Sequence, residues 1–312
     1  MGSWHLHRAE FADAEKFSRQ AIQTLTLRNP NPYEGEAFYN LGLTLRYLSR
    51  DEEAYAAFYK AAWNSAWRSA AYLALAELDA IGCDWNASIA HLESSLRMNT
   101  EKLNARNLSV VVLRKLGRGA EADRLLKETL ALDPLDSWAR YLASNSLPSS
   151  NHMLFDLAFD YIRAGLHADA VEFLGRMDRD ARDGSVPILL YALGHIYLQL
   201  GNTADAKRAY LEASSAAPDY CFPSRLEEFV VLQEAVSANP EDARARITWA
   251  IFYTTAGGTV KRSPCGNGPR LGIRLSPRSG ATLESVISMC SEIRSCLRQR
   301  NSCRSGRCAH SL

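Results

Sequence analysis

Seven cysteines and seven histidines are the side chains of this 312-residue sequence best suited to act as nucleophile, base or metal ligand. Five cysteines, Cys265, Cys290, Cys296, Cys303 and Cys308, fall near the C-terminus. A structural zinc site presents close pairs of ligands on tight turns. No CxxC occurs here, so the spacing predicts no metal site. His5, His7, His91, His152, His167 and His195 lie in separate segments, with no HExxH pair and no serine or cysteine in a nucleophile elbow. They read as surface or packing residues, and the chain is expected to be noncatalytic and to use no cofactor. Gly117-Arg118-Gly119 lacks the Gly-Lys-Ser/Thr that holds nucleotide phosphates and reads as a helix-to-helix turn. Trp63 and Trp67, four residues apart, suit either an aromatic platform or packing between helices, with packing the favoured reading.

The elements that position these residues show themselves as a period. Ala54, Phe58 and Ala61 recur as Ser88, Leu92 and Ser95, and again as Ala122, Leu126 and Thr129, each step being 34 residues. Small, large and small residues spaced by four and then three share one helical face, and the small ones let a neighbouring helix approach closely. The other half of the unit reads Leu190, Leu193, Gly194, Tyr197, followed by the breaker Gly201-Asn202 and then Ala206, Tyr210, Ala213 and Pro218. Leu154, Leu157, Ala158, Tyr161, Gly165, Ala170, Leu174 and Met177 make a further unit, and Leu41-Gly42 with Leu45 opens the one holding Ala54. With a degenerate unit at Ala14 and Ala21 and a last one at Leu232, Ala235 and Pro240, roughly seven helical hairpins are expected. The step from Ala122 to Ala170 is 48 residues, about 14 too many. The polar stretch SNSLPSS, Ser144 to Ser150, is read as the insertion. It divides an N-terminal stack, 4–143, from a C-terminal one, 152–246, at a junction over 144–151.

This pattern resembles the tetratricopeptide repeat over about residues 4–246. The resemblance implies an all-α solenoid of helical hairpins in a right-handed superhelix, whose first helices line a concave groove that holds a peptide or protein segment. In that geometry the first-helix positions flanking the Leu-Gly pair face inward, which implies Asn40, Arg46, Tyr47, Arg114, Lys115, Asp156, Arg163, His195 and Gln199 as groove residues. The basic pairs suit a carboxylate held by charge-assisted hydrogen bonds; the alternative is solvated helix faces. Tyr39 and Leu43 stand where chaperone-binding members carry Lys and Asn, so the resemblance does not extend to a chaperone-tail clamp. The segments Arg28-Asn29-Pro30-Asn31-Pro32, Leu113-Arg114-Lys115-Leu116-Gly117-Arg118, Asp133-Pro134-Leu135-Asp136 and Phe222-Pro223-Ser224-Arg225-Leu226-Glu227-Glu228 resemble the C-terminal repeat region of bacterial proteins carrying domain of unknown function 5107. That resemblance implies an alternative, a C-terminal fragment of a larger carbohydrate-associated protein.

Composition bounds the rest. A hydrophobic fraction of 47% supports a sizeable core, while a mean hydropathy of −0.22 and the absence of a long apolar run point away from a membrane. Met1 to Glu10 lacks the apolar run of a secretory signal, so a cytoplasmic, bacterial-type placement is expected. Net charge is +1, yet residues 247–312 carry ten Lys/Arg against Glu284 and Glu292. That segment reads as a non-repeat, disordered tail without specific nucleic-acid binding. Back-translation sharpens it: with a permitted choice of codons, read one nucleotide earlier, Ile247 to Thr255 can become YYLGNFLYD and Ser276 to Met289 FATVWRNLGIGYFN, with Leu-Gly pairs again 34 residues apart. The hypothesis is a shifted frame after Arg246. It requires a one-base change in the DNA to restore both strings.

Overall fold

Repeated small-large-small triplets can stack only if each helix meets its neighbour at close range, and the computed structural model shows how they do so. It describes residues 1–30, 32–148, 150–181, 184–216, 221 and 223–255. Fifteen helices form among these residues, with no strand. Seven antiparallel pairs account for fourteen of them: α1 (Gly2–His7) with α2 (Phe11–Thr26), α3 (Glu36–Tyr47) with α4 (Asp51–Ala61), α5 (Ser65–Ile81) with α6 (Trp85–Met98), and α7 (Leu103–Lys115) with α8 (Gly119–Leu132). After the unpaired α9 (Ser137–Ser144) come α10 (Asn151–Arg163) with α11 (His167–Leu174), α12 (Ser185–Gln199) with α13 (Thr203–Ser215), and α14 (Leu226–Ala238) with α15 (Ala243–Thr255). No helix among the described residues is long and apolar enough to cross a membrane.

The sequence period maps onto this packing. Ala54, Phe58, Ala61, Ser88, Leu92, Ser95, Ala122 and Thr129 are all fully buried, with Leu126 nearly so. Gly42 lies under the ring of Phe58 and Gly194 under that of Tyr210; a Cβ at either would come within 3.0 Å of the ring. The Leu-Gly pair therefore sets the distance between the two helices of a hairpin. Each of the first six pairs turns through one residue with positive φ: Ala9 (56°), Ser49 (57°), Cys83 (57°), Gly117 (73°), Gly165 (69°) and Gly201 (75°). The next amide returns to a carbonyl five residues back, as from Arg50 to Leu45, Asp84 to Asp79, Arg118 to Leu113 and Leu166 to Tyr161, which satisfies the last carbonyls of the first helix. Side-chain caps start several helices: Asn64, Asp84, Asp136, Ser150 and Asn202 each accept an amide from the first turn.

Two features differ from the sequence reading. The surplus between the fourth and fifth hairpins is a helix and a loop together, because α9 precedes the stretch read as the insertion. Trp138 and Ala139 of α9 are buried, so it has an apolar anchor of its own. It ends on Asn145 in the left-handed region, whose side-chain oxygen and carbonyl both accept from the Arg176 guanidinium at 3.0 and 3.1 Å. One apolar core cluster runs from Leu6 to Phe252 and crosses the 144–151 junction through Trp138 and Ala139. Second, the helical period does not stop at Arg246. Helix α15 continues to Thr255 with Thr248, Trp249, Ala250 and Phe252 buried, and the rings of Trp249 and Phe252 lie 5.5 and 5.2 Å from Phe229 of α14. Asp242 holds its start, accepting the Arg244 and Ala245 amides at 3.0 Å and the Tyr191 hydroxyl at 2.9 Å. Residues 256–312, with the five C-terminal cysteines and most of the segment assigned to a shifted frame, lie outside the described residues.

Candidate functional site

Long charged side chains on the inner faces of the first helices meet across the superhelix. Arg46 of α3 donates to Glu77 of α5 and to the backbone carbonyl of Arg163 at the end of α10. Arg163 in turn pairs with Asp160 on its own helix and with Glu227 of α14 at 2.9 Å, and its Nε lies 3.9 Å from Glu77. Asn104 of α7 donates to Asp160 at 3.0 Å. Five helices thus contribute to one interior polar network. Burial dominates its electrostatics: it pushes the Asp160 carboxyl up to about 6 against the pull of Arg163, with Glu77 and Asp156 adding to the rise. Burial also works against the charged Arg163, but Asp160, Glu77 and Glu227 outweigh it and hold the guanidinium above its ordinary range. The phenol of Tyr39, raised to about 12 by burial, and that of Tyr47, raised further, border the same region.

Of the nine residues expected in the groove, Arg46, Tyr47 and Arg163 come together here. Tyr47 stacks on Phe11 at 5.2 Å, and Phe11 meets Phe229 at 6.1 Å, so the first and last hairpins touch. Asp156 pairs with Arg225, and His195 Nδ1 with Glu234. Asn40 donates to Glu36 within α3 at 3.4 Å, and Gln199 is exposed. The acidic partners Glu77, Asp160 and Glu227 were not among the sequence candidates. Only Asp160, three residues before Arg163, left a local signal.

Arg114 and Lys115 have a different setting. They line an open cleft of about 650 Å³ among α7, α9, α10 and α11, with Tyr141, Tyr161, Asp169, Glu172 and residues 142–145. The cleft runs along α9, the one described helix without an antiparallel partner to fill that space. Arg114 donates to the Leu142 carbonyl at 3.0 Å and lies 3.6 Å from Asp123; Lys115 lies 3.3 Å from Asp169. Both ion pairs are solvent-exposed, so they are weak and exchangeable.

Comparison with known families meets the chain at the hairpin of α12 with α13. Residues 188–220 match the tetratricopeptide repeat family. The earlier hairpins share the left-handed turn and closing amide bond of this matched hairpin. Among solved structures, a tetratricopeptide repeat protein from Parabacteroides merdae is similar at 14% identity and a TM-score of 0.41, covering 93% of this chain and 96% of its own. MamA is similar at 14% identity and a TM-score of 0.38, covering 68% of this chain and 92% of its own. No curated protein sequence matches the chain.

Outside the Arg46–Arg163 network, two further polar clusters involve histidine. His91 Nδ1 lies 2.6 Å from the buried Asp79 carboxylate, with Tyr72 stacked on the imidazole at 5.7 Å. His5, Glu10 and Asp13 bring one potential ligand atom each within 4.8 Å of one another, an arrangement made by the left-handed turn at Ala9. Glu10 there accepts from His5 at 2.6 Å and from Arg8 at 3.1 Å, and a guanidinium on the same carboxylate competes with a metal cation.

Proposed function

We propose that the chain is a noncatalytic scaffold that holds a peptide or protein segment, and that the cleft beside α9 is where it does so. The observation that carries this reading is the contrast between the groove cations. Arg46 and Arg163 are enclosed and matched by Glu77, Asp160 and Glu227, whereas Arg114 and Lys115 stand exposed over an open cleft with two tyrosines beside them. Exchanging a weak surface ion pair for a ligand carboxylate costs little. The repeat match at residues 188–220 supports the scaffold class, since stacked helical hairpins provide extended surfaces for segments of other proteins.

Selection from a random-sequence peptide display library on the full chain tests this. Peptides should be enriched that lose about tenfold or more in affinity on the Arg114→Glu, Lys115→Glu double variant. Enrichment of no peptide overturns the scaffold reading; peptides indifferent to the double variant overturn the placement in this cleft.

A further inference from the structure

Trp63 and Trp67 share a helical spacing but not a fate. Trp67 packs inward, its ring 4.9 Å from Tyr39. Trp63, in the turn between α4 and α5, is 53% exposed. Beside it stand Tyr33 at 90% and Met98 at 49%. Single exposed apolar residues are ordinary, but here one indole forms the wall between two open clefts, about 350 Å³ on the Tyr33 side and about 510 Å³ on the Met98 side.

The turn that carries Trp63 is held firmly. Arg68 reaches back from α5 to the carbonyls of Ala62 at 2.9 Å and Trp63 at 3.2 Å. Asn64 caps α5 through the Ala66 amide and donates to the Tyr33 carbonyl, tying the preceding loop to the turn. Gly35 fits against Asn64 and Trp67 where a Cβ would be 2.8 Å from the Asn64 side chain. The aromatic surface is therefore presented in advance, and a ligand need not order it.

Charge selects the ligand. The charged residues lining the two clefts are Lys60, Arg68 and Arg97, against Glu34 alone. Lys60 sits 4.0 Å from the centre of the Trp63 ring. Arg68 and Arg97 donate to neutral acceptors, the two carbonyls named above and the Ser94 hydroxyl at 2.7 Å, which leaves their positive charge unneutralised by those bonds. An apolar side chain seated on an exposed indole, flanked by cations on both sides, is the arrangement that recognises a hydrophobic residue between acidic ones.

We infer that the surface around Trp63 is a docking site for an extended, acidic protein segment with an apolar side chain at its centre. It is a second surface on the same scaffold and does not depend on the cleft beside α9. The test uses the full chain and three fluorescein-labelled short peptides measured by anisotropy: one rich in Asp and Glu around a central leucine, one with lysines in place of the acids, and one with serine in place of the leucine. The acidic leucine peptide should bind at least about tenfold tighter than the other two and weaken in high salt. Trp63→Ala and, separately, Arg97→Glu should each reduce that binding by about tenfold. Both sites are on the surface, and circular dichroism confirms that the helices remain. Equal affinity for the three peptides, or binding untouched by Trp63→Ala, overturns the inference. Binding lost only in the Arg114→Glu, Lys115→Glu variant also overturns it, while leaving the cleft as the scaffold's site.

Discussion

The Asp160 carboxylate is the group whose titration reads out the interior network. Its folded value of about 6 lies above its ordinary 3.8, so between those limits the folded chain holds a proton that the unfolded chain has released. Native stability from this group therefore falls as pH rises through that window, and the cost of the buried charge is fully present above about pH 6. The groups facing it are Arg163, Asn104, Glu77 and Asp156. Asp160→Asn removes the charge at every pH. Relative to the parent, the variant should gain stability from pH 4 to pH 7 by on the order of 2–3 kcal/mol, measured as the difference in urea unfolding free energies. Parallel profiles for the two proteins would sink this account. None of the network's longer links was legible in the sequence: Arg46 meets Arg163 across 117 positions, and Arg163 meets Glu227 across 64. Only the curvature of the whole stack brings those helices together. Gly42 and Gly194, by contrast, were legible, because the Leu-Gly pair recurs 16 residues before a large ring in the same unit: Phe58 and Tyr210 each lie in the second helix of the hairpin.

At the scale of the element, the hairpin turn is the informative unit. Gly117, Gly165 and Gly201 announce the left-handed position through their residue type, whereas Ala9, Ser49 and Cys83 hold the same backbone without it. A Cβ in that region is opposed by the neighbouring carbonyl, and glycine removes the conflict at the expense of a freer unfolded chain. Ser49→Gly and Cys83→Gly, both at exposed positions, should each stabilise the fold by about 0.5–1 kcal/mol. Gly117→Ala should do the reverse, although its Cβ would meet no atom within 4 Å. Thermal midpoints check all three; a rise for Gly117→Ala would contradict the turn argument. The pair α5 with α6 was recognised despite Cys83 because the small-large-small triplet at Ser88 carried it. Helix α9 was missed because it has no such triplet and no partner, and its anchor is a single Trp138 with Ala139. The end of α15 was missed for a different reason: Ala245, Thr248 and Ala250 stand beside Trp249 and Phe252 on its buried face, but the residues that follow turn to Gly, Ser, Arg and Cys and carry no further period.

Across the whole molecule, the contact of Phe11 with Tyr47 and Phe229 changes what kind of array this is. A stack of repeats in which each unit touches only its neighbours frays from its ends, and damage at one end is not felt at the other. Here the apolar cluster that includes Leu6, Ala9 and Phe11 also includes Phe229, Trp249 and Phe252. Phe11→Ala, which removes a nearly buried ring, should cost about 3 kcal/mol. Amide hydrogen exchange should then speed up in α14 as well as in α2 and α3. Faster exchange confined to α2 and α3 would show that the ends are independent. The all-helical hairpin architecture and most hairpin positions were legible because they depend on residues within one period. The closure was not, because it depends on where the seventh hairpin arrives after the others have set the pitch. With Phe11 seated against Phe229, the last hairpin has a set position relative to the first, so inserting or deleting a single hairpin between them is expected to break that contact, a constraint an open stack does not carry.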